Sequence, residues 1–278
     1  MMNPLNQYFR IPKLYVKLPS QGAYYPDHMV ETSAQGEVAV HALTAMDQIL
    51  LKTPDAVLNG ETLLQIFRNC VPGVKDPSQL VEPDINTLMV AIRVASAGAT
   101  MEWNTKCAKC DQEHTFDVDL TPILETQSFI EDTTPVDLNG ELLIQVRPYN
   151  FKQRHMQLMN DLEHNQAVRM LDSRTDISEQ DRQTQVAQII RNITERTFEL
   201  LAQSVVSVTV VNTQEVVTDP DHICEFVKNI SKSQADVIIE EIKSLNQMGI
   251  DTTSRFTCTA CGNTWDQPID FDPTSFFD

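Results

Sequence analysis

Two cysteine pairs constrain this chain more than any other feature. Cys107 and Cys110 form one C-x-x-C, in TKCAKCDQEHTFDVDLT, and Cys258 and Cys261 form the other, in FTCTACGNTWDQPIDFDPT. Each pair is half of a metal site, because zinc held by thiolates takes four ligands in a tetrahedron. Asp111 and Gly262 follow the pairs and suit a turn, since both residue types tolerate positive φ. An aromatic residue then follows each pair, Phe116 in one and Trp265 in the other, and leads into an acidic strand-like tail. The internal likeness predicts two knuckles of one zinc ribbon, with Zn2+ held structurally by Cys107, Cys110, Cys258 and Cys261.

Positions 111 to 257, 147 residues, lie between the two halves. Loop-closure entropy grows only logarithmically with length, so a folded insertion between knuckles is thermodynamically tolerable. A structural zinc site contributes on the order of 10 kcal/mol of apparent binding energy in small peptides, enough to tie the C-terminal residues back to the first knuckle.

Other chemistries stay open for the same cysteines. A thioredoxin-like C-x-x-C should sit where a strand feeds a helix, and neither pair precedes a clear helical pattern. A zinc enzyme uses three protein ligands and a water, and His114 could complete a local set with Cys107 and Cys110. Two independent metal-free pairs are the plainest alternative. The remaining cysteines, Cys70 and Cys224, stand alone in apolar surroundings and read as small buried core residues.

The rest of the pattern predicts an α+β fold. Residues 1–43 read as an extended, β-rich N-terminal arm, with VETSAQGEVAVHAL as a hairpin bending at Gln35-Gly36. Residues 44–122 read as a small helical domain plus the first knuckle. Its first helix starts at a Thr44/Asp47 capping box and stops at Pro54. A second begins at Asn59 with Leu63, Leu64, Phe67 and Cys70 as its stripe. A third shows Ile85, Leu88, Met89, Ile92 and Val94, with Gly98 beyond its end. Residues 123–250 read as a second α+β domain inserted between the halves of the ribbon. It contains a hairpin at Asn139-Gly140 and a strand or hairpin over VVSVTVVNTQEVV. Its helices include one with Ile190, Ile193, Thr197 and Leu200 or Leu201 on a common face. Residues 251–278 hold the second knuckle and an acidic aromatic tail.

Composition narrows the function classes. The formal charge is −18, from 39 acidic and 21 basic residues. Such a field repels phosphate backbones and anionic lipid, so nucleic acid is not an expected partner, although a zinc-ribbon nucleic-acid binder is the alternative of another class. No run approaches the length of a membrane span. The opening MMNPLNQYFRIPKLYVKLPS has no apolar core after a basic start, so no secretory signal is expected. No phosphate-cradling glycine loop, G-x-S-x-G or H-E-x-x-H is present, and nothing points to catalysis or a small-molecule substrate.

The order LPSQGAYYP, MDQILLKTPDAVLNGE, NCVPGVKDP and INTLMVAIRVASAG, followed by a C-x-x-C knuckle, resembles the baseplate hub proteins of T-even-like myoviruses. VTDPDHICEFVKNI, QADVIIEEIKSLNQMGI and the second knuckle with its SFF ending continue the likeness. The resemblance implies a non-enzymatic virion structural protein of the contractile tail, placed in the baseplate hub and assembled in the host cytoplasm. Its partners would be other baseplate and hub proteins. A hub assembly factor not retained in the virion is the alternative within that biology. The LPSQGAYYP and SFF stretches are the candidate contact elements.

Overall fold

In the computed structural model, residues 11–52, 60–130, 135–173, 178–269 and 276–277 are described. The fold is α+β with small sheets. The chain divides into two units, Met1–Glu131 with Gln247–Asp278, and Asp132–Asn246. The second unit therefore falls, in sequence, between the two cysteine pairs. Pro54 and Asn59, expected as a helix stop and a helix start, lie outside the described residues.

In the first unit, β1 (Pro12–Lys17) pairs antiparallel with β2 (Glu37–His41). Alternation puts Val16, Val38 and Val40 into the core. This corrects the local hairpin expected around Gln35-Gly36. A tight turn does form there, with Gly36 N–H donating to Ser33 O at 3.0 Å. However, β2 takes β1 as its partner, while Val30 bridges Val74. The segment before the turn offers little apolar surface, whereas β1 supplies Leu14 and Val16 opposite Val40 and Val38.

Helix α1 (Ala45–Leu51) opens on the expected capping box. Thr44 N–H donates to Asp47 Oδ2 at 2.8 Å, and Asp47 N–H donates back to Thr44 Oγ1. Helix α2 (Glu61–Cys70) buries Leu64, Ile66, Phe67 and Cys70. Ile66 rather than Leu63 completes its inner stripe. Helix α3 (Glu82–Ala97) is covered nearly all round and ends at Gly98, φ 91°, and the short α4 (Thr121–Glu125) is the next helix in the chain. Val90 and Ala91 join the expected Ile85, Leu88, Met89 and Ile92 in the core, while Val94 is half-buried. A one-sided stripe underestimates this helix because it lies at the centre of its unit and touches both β1 and β2.

The LPSQGAYYP segment is drawn inward by Asp84, a fully buried carboxyl on the first turn of α3. Ser20 donates through N–H to Oδ1 at 2.9 Å and through its hydroxyl to Oδ2 at 2.5 Å. The Tyr25 hydroxyl donates to Oδ2 at 2.5 Å and accepts the Val81 N–H at 2.9 Å. Leu18, Pro19 and Ser20 are buried, so this half of the stretch packs within its own unit rather than offering a contact surface. Phe276 and Phe277 of the other candidate contact element are buried too, and pack edge to face.

The same loop fixes where the chain leaves for the second unit and where it returns. Ile130 N–H donates to Pro19 O at 2.9 Å, and Ser128 N–H donates to Gly249 O at 2.7 Å. Gly249 has φ 98°, and a Cβ there would stand 3.1 Å from Pro19 Cγ and 3.3 Å from Pro83 Cβ. Only glycine meets both the backbone angle and the close approach.

The second unit is built on an antiparallel sheet of order β5-β6-β7-β8. Its strands are β5 (Val136–Leu138), β6 (Leu142–Val146), β7 (Val205–Val210) and β8 (Glu215–Val217). Asn139 and Gly140, at φ 59° and 71°, make the expected tight turn between β5 and β6. VVSVTVVNTQEVV is a hairpin, with Gln214 N–H closing the turn onto Val210 O. Helices α7 (Pro220–Asn229) and α8 (Lys232–Asn246) bury Ile223, Val227, Ile238 and Ile242. The long helices are α5 (Phe151–Ser173) and α6 (Glu179–Ser204). Between Gln153 and Leu200 no described side chain of this pair is buried. Ile190, expected on a common face with Leu200 or Leu201, is 52% exposed while both leucines are buried.

Candidate metal centre

The two C-x-x-C pairs sit at the tips of two β-hairpins that share one design. The first joins β3 (Thr100–Lys106) to β4 (Glu113–Asp119), and the second joins β9 (Thr253–Thr257) to β10 (Thr264–Pro268). In the first tip, Cys107 N–H donates to Gln112 O and Asp111 N–H donates to Cys107 O, each at 2.9 Å. In the second, Cys258 N–H donates to Asn263 O at 2.8 Å and Gly262 N–H to Cys258 O at 2.9 Å. Asp111 and Gly262 occupy the left-handed positions at φ 56° and 70°, as their residue types suggested.

Register extends the match down the strands, since Lys106 opposes Glu113 as Thr257 opposes Thr264. Counted from the cysteines, the equivalent of Trp265 is His114 and not Phe116. The pairing of Phe116 with Trp265 as repeat partners is thereby corrected. The two rings instead meet edge to face at 6.2 Å, and both pack on Phe256, at 4.9 and 5.9 Å. The aromatic cover is a joint product of the two hairpins.

The tips bring all four sulfurs within 4.8 Å of one another. Cys107 Sγ lies 3.8 Å from Cys261 Sγ, and Cys110 Sγ lies 3.6 Å from Cys258 Sγ. A tetrahedron of thiolates at about 2.3 Å from a central ion has edges of about 3.8 Å. Each hairpin contributes one buried sulfur, Cys107 or Cys258, and one exposed sulfur, Cys110 or Cys261. The cluster can therefore hold a tetrahedral cation, with its inner half sealed and its outer half at the surface.

Hydrogen-bond donors surround the sulfurs. Lys109 N–H points at Cys107 Sγ at 3.5 Å, and Asn263 Nδ2 reaches the same atom at 3.8 Å from the other hairpin. His114 Nε2 is 3.1 Å from Cys258 Sγ. With its proton on Nε2 the imidazole donates to that sulfur, and the four cysteine sulfurs suffice for a tetrahedral set without it. Behind the tips, Thr105 of β3 donates to Gln267 Oε1 of β10 at 2.7 Å.

Two of the thiols are pulled in opposite directions. The Lys109 amide, foremost, pulls the Cys107 thiol down to about 6. At Cys110 the Gln112 amide pulls the same way. It is outweighed by the neighbouring Cys261, burial, Cys258 and Cys107, which together push that thiol up to about 12. With Cys107 ionised, Cys110 keeps its proton. A positive ion at the centre would favour the thiolate form of the cysteines around it.

The rival readings of the cysteines fare less well. Each pair is followed by a strand, β4 or β10, and not by the helix that a thioredoxin-like motif requires. Among the described residues, these four cysteines are the group of His, Cys, Asp and Glu side chains close enough to share an ion. Cys70 is fully buried in α2, as expected, but Cys224 on α7 is half-buried. His114, a candidate partner of Cys107 and Cys110, instead touches Cys258, and the contact of Asn263 with Cys107 has no counterpart among the sequence expectations. Each reaches a cysteine of the opposite hairpin, a contact that the spacing within one hairpin does not reveal.

No helix among the described residues is long and apolar enough to cross a membrane. No curated protein and no solved structure gives a significant match to the chain. Residues 38–278 match the family model described as T4 bacteriophage base plate protein, a span that takes in both cysteine hairpins and the whole second unit. The chain belongs to that family of phage baseplate proteins.

Proposed function

We propose that this protein is a structural subunit of the central hub of a contractile tail's baseplate. It acts through contacts with other baseplate proteins and without catalysis. A structural zinc ion bound by Cys107, Cys110, Cys258 and Cys261 ties its two cysteine hairpins together, with the second unit inserted between them. The observation that carries the metal reading is the set of four sulfurs at tetrahedral spacing, drawn from two hairpins far apart in sequence. Family membership supports the baseplate role. The net charge of −18 argues against the alternative of a nucleic-acid-binding ribbon.

Two measurements test this reading. Elemental analysis with X-ray absorption on the purified protein should find one zinc per chain with four sulfur neighbours; two metals per chain or nitrogen ligation would refute the clamp. Mass spectrometry of purified virions should detect the chain as a resident subunit. Its absence from virions, combined with a requirement for infectivity, would instead establish an assembly factor.

A further inference from the structure

The paired hairpins leave an open groove between β4 and β9, with a volume of about 430 Å3. β4 pairs with β3 and β9 with β10, each as a two-stranded sheet, so among the described residues both strands keep a free edge. No backbone hydrogen bond joins β4 to β9 among the described residues. Residues 116–119 and 253–256 line the groove, four in succession from each strand. Successive side chains point to opposite faces, so a run of four means that the groove follows the strand edges themselves.

Ladder parity identifies the backbone groups on those edges. The Cys107–Gln112 and Ala99–Leu120 backbone bonds bracket the first hairpin, and antiparallel pairs alternate between bonded and unbonded. Asp117 and Asp119 therefore turn their N–H and C=O groups away from β3. The Cys258–Asn263 and Thr252–Ile269 bonds fix the second hairpin in the same way, and turn those of Arg255 away from β10. A free edge of this kind is a template for another strand.

The side chains indicate what that strand should carry. Phe116, Val118 and Phe256 give the groove apolar surface, and Asp117, Asp119 and Asp251 give it carboxylates. The Thr121 N–H at 2.9 Å holds the Asp119 carboxyl below the usual carboxylate range, so it is an anion at neutral pH. The cation of the lining, Arg255, is already engaged in a two-pronged pair with Asp266, at 2.8 and 3.0 Å. The groove thus presents acceptors for positive charge and apolar contacts at strand spacing.

We propose that the groove binds an extended segment of a partner protein, in which apolar residues alternate with lysine or arginine, as a strand added along the free edges of β4 and β9. This deepens the protein-contact role proposed above and rests on it. The probe is a labelled octapeptide of alternating valine and lysine, with its valine–glutamate counterpart as control. Both are titrated against the full-length protein by fluorescence anisotropy.

The lysine peptide should bind at least about tenfold more tightly than the control, and should slow amide exchange at Asp117, Asp119 and Arg255. Asp117→Lys, an exposed change, should weaken binding by about tenfold at an unchanged melting temperature. If that variant melts differently, the exchange map of the parent decides. Absence of binding, equal binding of the two peptides, or binding that leaves those amides unprotected would overturn the proposal. The virion test of the hub role is unaffected by any of these results.

Discussion

Asp84 shows how much one side chain can organise and what it costs. It is fully buried and takes three hydrogen bonds from the Ser20–Tyr25 loop. Burial pushes its carboxyl up to about 6, against the pull of the Ser20 and Tyr25 donors. Burial, then the charge of Asp84, raises Tyr25 well above its ordinary range, so the phenol stays a donor at neutral pH.

A folded-state pKa above the unfolded value of about 3.9 means that the native state holds the proton longer. The stabilising contribution is full below about pH 4 and is lost as pH rises through about 6. The difference amounts to about 3 kcal/mol. Asp84→Asn keeps a neutral group of similar shape. Thermal melts of parent and variant between pH 4 and 7 should show the parent losing stability across that window and the variant lacking this loss. Parallel curves would mean that Asp84 does not titrate there. Nothing in the sequence marked this residue, because 64 positions separate it from Ser20 and an aspartate in the first helical turn ordinarily reads as a solvated charge favoured by the helix dipole.

At the scale of elements, local chemistry was legible and tertiary placement was not. The capping box at Thr44, the Asn139-Gly140 turn and the left-handed Asp111 and Gly262 each follow from a few neighbouring residues. The four cysteines could be grouped for a similar reason, since a metal knuckle is a local motif repeated. In contrast, the partner of β2 depends on which remote strand offers an apolar face, and that proved to be β1. The long helices make the point most clearly. Their periodicity is visible in the sequence, but periodicity cannot tell an inner face from an outer one when none of the described residues of the unit buries it. Ile144 and Ile190 therefore separate the two situations. Ile144 is fully buried in β6, and Ile144→Ala should cost about 2–5 kcal/mol in chemical denaturation. Ile190→Ala should stay within about 0.5 kcal/mol in the free protein. A large loss for Ile190→Ala would show that the free protein already buries that face.

For the whole molecule, the consequence of the architecture is that two compact units share one chain but only one contains the cysteine cluster. Metal binding stabilises whatever must be folded to assemble the site, in proportion to how strongly the native state binds and the unfolded state does not. The four clustered cysteines come from the two segments of the first unit, and the backbone ties at Ser128, Ile130 and Gly249 also lie in that unit. Removing the ion should lower the stability of the first unit while leaving the sheet and helices of the second intact. Calorimetry of the purified protein should thus resolve two transitions, of which a strong chelator shifts one downward, and Cys258→Ser should reproduce that shift without chelator. Hydrogen exchange would assign the transitions, with amides of α3 and β4 opening early in the chelated protein and those of β6 and β7 unchanged. A single transition that moves as a whole would show instead that the two units unfold as one cooperative body, and that the ion stabilises both.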